Sequence, residues 1–571
     1  MEGNLEMCGL LACVSENPQV IEGTLSHRGP DEIYFYKNPN ILIEYRRLSI
    51  TGGDNGKTPV RSKNGRYLVL INGEIYNFRE LQSSNFLPTT SSDMQVVADG
   101  LSQFGLEFLL KLRGMFAGII VDTKLNKYYV VRDFMGEKPL FFAQEKNSMF
   151  ISSEFQSIFR NLNRPLSLDY ESIYEYFQSN FVSEPNTFDT QIKAVLPGYV
   201  YEIDVLTKSL RRVLTLNGVS DFEKNQTLEN LLKDVLEQTT YSQLSVAIAL
   251  SEGIDSLSLL NAILDTNVKE IYGFTVNEKR ESQMNPLRLE RLDHEILKIR
   301  NHVNIEDFQS LTESIDQPVA DPAALSYLSI IQNAKIKNQR ILYFGHGADE
   351  LFWGYPWIHE MIETKIKELK TSSEVVIEFG SNPASSKRLL RLLNQTIGSE
   401  RKKTFRVENE SQIRNGLRNY LAEGYLRQNG FALIDRLSMR YGIEPRLPYA
   451  DSRLFGWAQN YESKNYNLSK DKGEFRQLVT LNHVNVDRDK PKAGFYPGEG
   501  NWVKSKRFKE LFRDLLKFEK DANLKIFKFK LPRILYSKSD RYKIMLLLNW
   551  LRFLSNDPTE FAQSKNHFLT R

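Results

Sequence analysis

The stretch SVAIALSEGIDSLSLLNAIL, Ser245 to Leu264, decides how the larger part of this 571-residue chain folds. A run of buried-strand character ends at Leu250, the small-residue turn SEGIDS (Ser251 to Ser256) follows, and a helical pattern takes over. A strand that turns directly into a helix points backbone N–H groups and a helix N-terminus at one place, which suits an anion. By itself the turn names no ligand. Working outward, EIYGFTV (Glu270 to Val276) and RILYFG (Arg340 to Gly345) read as further strands, and helical patterns lie between them and before them, at Leu228 to Tyr241. Alternating strands and helices predict a parallel α/β sheet. Beyond Leu351 helices dominate, with a polar, loop-prone region from Asn382 to Gln412.

The first 205 residues read differently. Short strand-like runs, YLVLING (Tyr67 to Gly73), MFAGIIVD (Met115 to Asp122), KYYVVRD (Lys127 to Asp133) and PLFFA (Pro139 to Ala143), are separated by Gly, Asn and Asp turns, the pattern of a β-rich unit. LPGYVYEID (Leu196 to Asp204) with the polar TKSLRR after it suggests a closing hairpin. The chain is therefore expected to be an α/β protein of two domains, residues 8–205 and 228–571, joined by a linker at 206–227.

Charge and composition narrow the class of function. Lys plus Arg number 75 against 71 for Asp plus Glu, a net +4 that does not call for a nucleic-acid partner. Cys8 and Cys13 are the only cysteines, so there is no disulfide framework and no CxxC metal pair, and a reducing, cytoplasmic setting is expected. The longest apolar runs, such as Ile544 to Leu548, are far shorter than the roughly 20 residues of a membrane span. The opening MEGNLEM has no apolar core and is not a secretory signal. Tyr542, Leu546, Leu547, Trp550, Leu551 and Leu554 fall at helical spacing and read as core. His294 and His302, eight apart in a charged region read as helical, lack a third ligand and are not taken as a metal site.

A second set of residues is dispersed: Cys8-Gly9, HRGPD (His27 to Asp31), RLSI (Arg47 to Ile50), NGEIYN (Asn72 to Asn77) and SSD (Ser91 to Asp93). The set resembles the glutaminase domain of class II glutamine amidotransferases, over residues 8 to 205. The resemblance implies an αββα, N-terminal-nucleophile fold with Cys8 as nucleophile, activated by its own α-amine. It further implies Asn72 and the Gly73 N–H as an oxyanion hole, and Arg47, Glu74 and Asp93 as clamps on the carboxylate and amine of glutamine. Cys13 reads as core. Six residues precede Met7, so Cys8 is expected to gain a free amine by initiation at Met7 and its removal, or by processing.

With that domain in place, SEGIDS is similar to the SGG(L/I)DS pyrophosphate loop of the adenylating domain in the asparagine synthetase family. GHGADELFWGY (Gly345 to Tyr355), GIEPRLPYAD (Gly442 to Asp451) and KAGF (Lys492 to Phe495) resemble three further family segments, and the likeness runs from about 225 to 560. It implies that Leu250, Ser251, Gly253, Ser256, Val276, Phe344 and Gly345 border ATP. Asp255 and Asp349 would hold Mg²⁺, and Lys472 and Lys492 would offset phosphate charge. The implied partners are glutamine, ATP and a carboxylate acceptor, aspartate or another; a homodimer is one assembly open to the chain.

Two positions depart from the family pattern. Glu252 replaces glycine in the phosphate turn, and His346 stands where asparagine synthetases carry Glu and β-lactam synthetases carry Tyr. A His346–Glu444 pair would be a general base for the incoming amine. Three readings remain open: glutamine-dependent amidation, intramolecular amide ligation, and a silent regulatory paralogue.

Overall fold

Strand β1 (Gly9–Ser15) buries Leu10, Ala12 and Val14 on one face and Leu11 and Cys13 on the other. A strand apolar on both sides must be covered on both, and the chain supplies that cover in four layers. The computed structural model describes most of residues 8–555; outside the described residues lie 1–7, 48–58, 217–226, 241–244, 278–285, 299–303, most of 379–403 and of 466–504, 528–537, 556–571 and a few single positions. Further strands are β2 (Glu32–Asn38), β3 (Ile41–Arg47), β4 (Val60–Arg61), β5 (Tyr67–Ile75), β6 (Gly114–Asp122), β7 (Lys127–Arg132), β8 (Phe141–Gln144), β9 (Ser148–Ser152), β10 (Ile192–Ala194), β11 (Tyr199–Asp204) and β12 (Ser209–Thr215). They form two antiparallel sheets, ordered β10-β8-β9-β1-β3-β2 and β12-β11-β7-β6-β5-β4.

Leu10, Ala12 and Val14 meet Leu68, Leu70, Ile119 and Val121 between the sheets. Leu11 and Cys13 face outward, sharing a cluster with the helices Phe155–Asn161 and Tyr170–Ser179. On the far side, Val69, Ile71 and Ile120 are covered by the helix Asp93–Phe104. The result is the expected αββα unit, with Cys13 as core at 2% exposure.

One boundary is corrected. The expected end at residue 205 cuts a hairpin, because β12 pairs along β11 from Asp204↔Ser209 to Tyr199↔Thr215 and Leu216 is buried in the helix-covered core. Residues 206–216 thus belong to the first domain rather than to a linker.

The second domain is built on a parallel sheet, β13 (Ser245–Leu250), β14 (Glu270–Asn277), β15 (Leu292–Lys298), β16 (Ile341–Tyr343) and β19 (Glu444–Arg446), in the order β15-β14-β13-β16-β19. The remaining strands β17 (Val375–Glu378) and β18 (Thr404–Val407) form a separate antiparallel pair. Strand order reverses beside β13, and the crevice beyond the carboxyl ends of β13 and β16 is where a sheet of this type binds ligands. β15 corrects the expected helical region around His294. Leu292–Lys298 is a charged edge strand, a composition that keeps sheet edges from pairing further. His294 there hydrogen-bonds Thr275 Oγ1 at 2.8 Å and accepts the Leu287 N–H at 2.8 Å; His302 lies outside the described residues.

The two domains share one core. Trp550, 0% exposed in the helix Lys538–Leu554, packs on Phe155 and Phe188 of the first domain at ring distances of 5.7 and 5.2 Å. Asp316 of the second domain accepts the Phe155 and Gln156 N–H groups at 2.6 and 2.8 Å, filling the orphan donors of the helix Phe155–Asn161. Among the described residues no helix is long and apolar enough to cross a membrane.

Candidate functional site

The glutamine-type residues come together at one end of the sandwich. Cys8 immediately precedes β1, and the register Gly9↔Arg46 continues to place Cys8 beside Arg47. Tyr45 Oη donates to the Ile71 carbonyl at 2.8 Å and ties this end of β3 to β5, where Asn72, Gly73 and Glu74 follow. Gly73 has φ 132°, and a Cβ there would lie 1.9 Å from the Met115 carbonyl oxygen, so only glycine fits between Asn72 and Glu74. Asp93 begins its helix and accepts the Ile75 and Met94 N–H groups, each at 2.9 Å, which brings its carboxylate to the end of β5. Burial pushes Asp93 up to about 6 against those two donors.

Two buried atoms here have no hydrogen-bond partner among the described residues: Asn72 Nδ2, a donor, and Glu74 Oε1, an acceptor. An orphaned donor and an orphaned acceptor on neighbouring residues match a ligand that carries an oxyanion and an ammonium. Burial raises the Glu74 carboxyl to about 8, although Arg446 of the second domain, 2.5 Å away, pulls it the other way. Arg47 is 5% exposed, with Glu32 Oε1 at 3.4 Å.

The second cluster lies where β13 and β16 end. Gly253 caps the helix Ile254–Leu264 without a side-chain hydrogen bond, leaving its first N–H groups for another acceptor. Ser256 Oγ accepts the Ser251 N–H at 3.0 Å and holds the turn shut, while Gly253 N–H reaches Ser251 Oγ at 3.1 Å. Gly345 packs so closely that a Cβ there would meet Ser256 N at 3.3 Å. Leu250 and Phe344 are buried, Val276 is half-buried at the end of β14, and Glu252 is exposed on the turn, directed away from the core.

Lys472 Nζ lies 2.5 Å from Asp255 and 2.6 Å from Asp349, with only 4% of its side chain exposed. Burial opposes its charge, but the two carboxylates raise its pKa above the usual value. Two acidic side chains thus converge on one cationic point. That donor set fits Mg²⁺, which takes one or two protein carboxylates and completes its octahedron with phosphate oxygens and water. Lys492 lies outside the described residues.

The expected His346–Glu444 pair does not form. His346 follows β16 and hydrogen-bonds Tyr327 Oη at 3.1 Å, its ring 5.2 Å from Tyr327 and 5.9 Å from Phe344. Glu444 pairs with Ile341, at the opposite end of β16, and its carboxylate takes the Arg446 Nε–H at 3.0 Å. Two residues apart on one strand, Glu444 and Arg446 share a face, and that face meets Glu74.

Arg28 and Arg446 were not singled out by sequence reading although both sit in quoted motifs. Arg28 is fully buried, with Asp435 at 2.7 Å, Glu154 at 3.0 Å and the Cys8 carbonyl at 3.4 Å. His27 and Lys138 complete the cluster at 2.7 Å from Glu154 and 3.1 Å from Asp435. Burial works against charge on Glu154, yet His27 and Arg28 hold it down to about 2. Their signal was an arginine inside an otherwise apolar or tightly turned motif, which demands buried carboxylates.

Comparison with known proteins agrees with this two-part layout. Residues 7–212 match the glutamine amidotransferase domain family, and residues 227–553 match asparagine synthase. The chain is 25% identical to asparagine synthetase [glutamine-hydrolyzing] 1 of Bacillus subtilis, over 79% of this chain and 80% of that one. It is also 25% identical to asparagine synthetase [glutamine-hydrolyzing] 2 of the same organism, over 83% of this chain and 68% of that one. Asparagine synthetase [glutamine-hydrolyzing] 1 of Arabidopsis thaliana is 25% identical, covering 62% and 61% of the two chains. With the second match spanning more than half of its length, this chain is an enzyme of the asparagine synthase family that carries a glutamine amidotransferase domain at its N-terminus.

Proposed function

We propose that this enzyme transfers ammonia from glutamine to a carboxylate that it first adenylates with ATP, yielding an amide, AMP and pyrophosphate. The observation that carries the reading is the orphaned pair Asn72 Nδ2 and Glu74 Oε1 beside Asp93, in one molecule with the uncapped phosphate turn at Gly253.

In the first half-reaction Cys8 attacks the glutamine carboxamide once its α-amine is free to take the thiol proton; the C–N bond breaks as that proton passes to the departing ammonia, and water hydrolyses the thioester to glutamate. Asn72 Nδ2 and the Gly73 N–H hold the oxyanion, Arg47 holds the substrate carboxylate, and Asp93 with Glu74 receives the ammonium. In the second, the acceptor carboxylate attacks the α-phosphate of ATP, and ammonia then attacks the acyl carbon and expels AMP. The loop from Ser251 to Ser256 cradles the phosphates, and Lys472 supplies positive charge beside Asp255 and Asp349. Mg²⁺ held by those two carboxylates would neutralise phosphate charge as pyrophosphate departs.

Ammonia in bulk water is largely protonated and unreactive, so it must pass between the sites sheltered. A cleft of about 40 Å³ at the domain boundary is lined by Tyr76, Phe116, Met135 and Glu137 of the first domain and by Ala450 and Asp451 of the second.

The test is pyrophosphate release from ATP with glutamine and a panel of carboxylates, aspartate included. Release that requires both glutamine and one carboxylate is the expected result. Multiple-turnover release without glutamine, or none with any carboxylate, overturns the reading.

A further inference from the structure

Arg446 is 1% exposed and touches both candidate sites with different parts of itself. Its carbonyl accepts the Phe344 N–H at 3.0 Å, at the end of β16 where Gly345 packs on the phosphate turn. Its guanidinium crosses the domain boundary to Glu74 at 2.5 Å, takes Glu444 at 3.0 Å and donates to the Thr239 carbonyl at the end of the helix Leu228–Thr239. Among the described residues β19, three residues long, pairs with β16 alone, so a movement at Phe344 passes to Arg446 through one strand pairing.

The charge count makes that contact matter. Glu74 and Glu444 share one guanidinium, and Asp93 and Lys138 also act on Glu74, so an ammonium brought by a ligand meets three carboxyl groups set against two cations. Glu74 presents Oε1 to that ligand only while Arg446 holds Oε2. A planar guanidinium fixes the carboxylate direction in a way that a single ammonium cannot.

We propose that Arg446 is a positioning residue that couples occupancy of the nucleotide turn to binding of glutamine in the other domain. The inference rests on the two-site reading above. ATP against Phe344 and Gly345 restrains β16, β19 and the Arg446 guanidinium together, and an ordered Arg446 presents Glu74 to the amine. Coupling of this kind is reciprocal, so glutamine must tighten ATP by the same factor.

The experiment measures equilibrium binding on the full chain carrying Cys8→Ala, so that glutamine is not consumed. Calorimetry gives the Kd of glutamine with and without Mg-ATP, and the Kd of Mg-ATP with and without glutamine. We expect the two ratios to agree at about fivefold or more, and to collapse to one in Arg446→Lys and in Glu74→Gln. Should Arg446→Lys fail to fold, Glu74→Gln, which leaves Arg446 with Glu444, carries the test. Ratios of one in the parent chain, or ratios kept in both variants, overturn the proposal. Failure of the amidation reading shows separately, as absent pyrophosphate release with the binding ratios intact.

Discussion

Arg28 and Asp435 meet at 2.7 Å across the domain boundary, both almost without solvent exposure, and the same guanidinium hydrogen-bonds the carbonyl of Cys8. Cys8, the proposed nucleophile, is therefore held in place in part by a carboxylate from the domain that does not contain it. Replacing Asp435 by Ala leaves Arg28 and Lys138 as buried cations short of a partner, an arrangement that costs about 3–5 kcal/mol. Asp435→Ala is expected to lower the chemical-denaturation midpoint and to reduce glutamine hydrolysis, although residue 435 is outside the amidotransferase domain. Unchanged hydrolysis would show that the Cys8 carbonyl needs no anchor from the second domain.

Much of this was legible in the sequence because it depends on local pattern. The core place of Cys13 and the strand-turn-helix at Ser245 to Leu264 follow from residue order alone, and both were read correctly. The pairings between domains were not. Glu444 looked like a partner for His346 because the resemblance to β-lactam synthetases pairs the residue at that position with the Glu of the GIE segment, but the parallel register puts Glu444 beside Ile341 and on the guanidinium that also holds Glu74. The edge strand Leu292–Lys298 was missed for a related reason: its charges suit the rim of a sheet, and a rim is defined only by what lies beside it.

Gly354 is the tightest point of the cation cluster. A Cβ there would lie 1.8 Å from Asp349 Oδ1 and 2.5 Å from Lys472 Cε, too close for either to remain. Gly354→Ala is expected to displace the Asp349 carboxylate and to weaken Mg-ATP binding by at least tenfold, about 1.4 kcal/mol. Glutamine hydrolysis measured without ATP should persist. Nucleotide binding at the parent affinity would mean that Asp349 takes no part in it.

His346 stands at the mouth of the crevice, edge-on to Tyr327 and Phe344, with its Nε2 hydrogen-bonded to Tyr327 Oη. If it reads the acceptor, His346→Glu changes which carboxylate is amidated. A shift of about 1–3 kcal/mol in the preference between two acceptors is expected, with glutamine hydrolysis unaffected. Competition between aspartate and a second carboxylate measures it. Identical preference in parent and variant would remove His346 from acceptor recognition.

Asp93 gives the glutamine site a pH limit. Its buried carboxyl titrates at about 6, above the ordinary value of 3.8, and only the ionised form attracts an ammonium. The sign follows: as pH falls through 6 the clamp is neutralised in the folded enzyme, while glutamine keeps its positive amine, so affinity drops on the acid side. For stability the same shift acts oppositely, because a raised folded pKa favours the folded state below about 4 and loses that contribution as pH rises to 6. The quantity kcat/KM for glutamine reports groups of the free enzyme; Glu74, raised to about 8, is protonated first, and Asp93 is expected to add a further inflection near pH 6. In Asp93→Asn the inflection should vanish together with most of the activity, since an amide carries no charge for the amine and cannot accept both the Ile75 and Met94 N–H groups. A variant that keeps that inflection would assign it to another group.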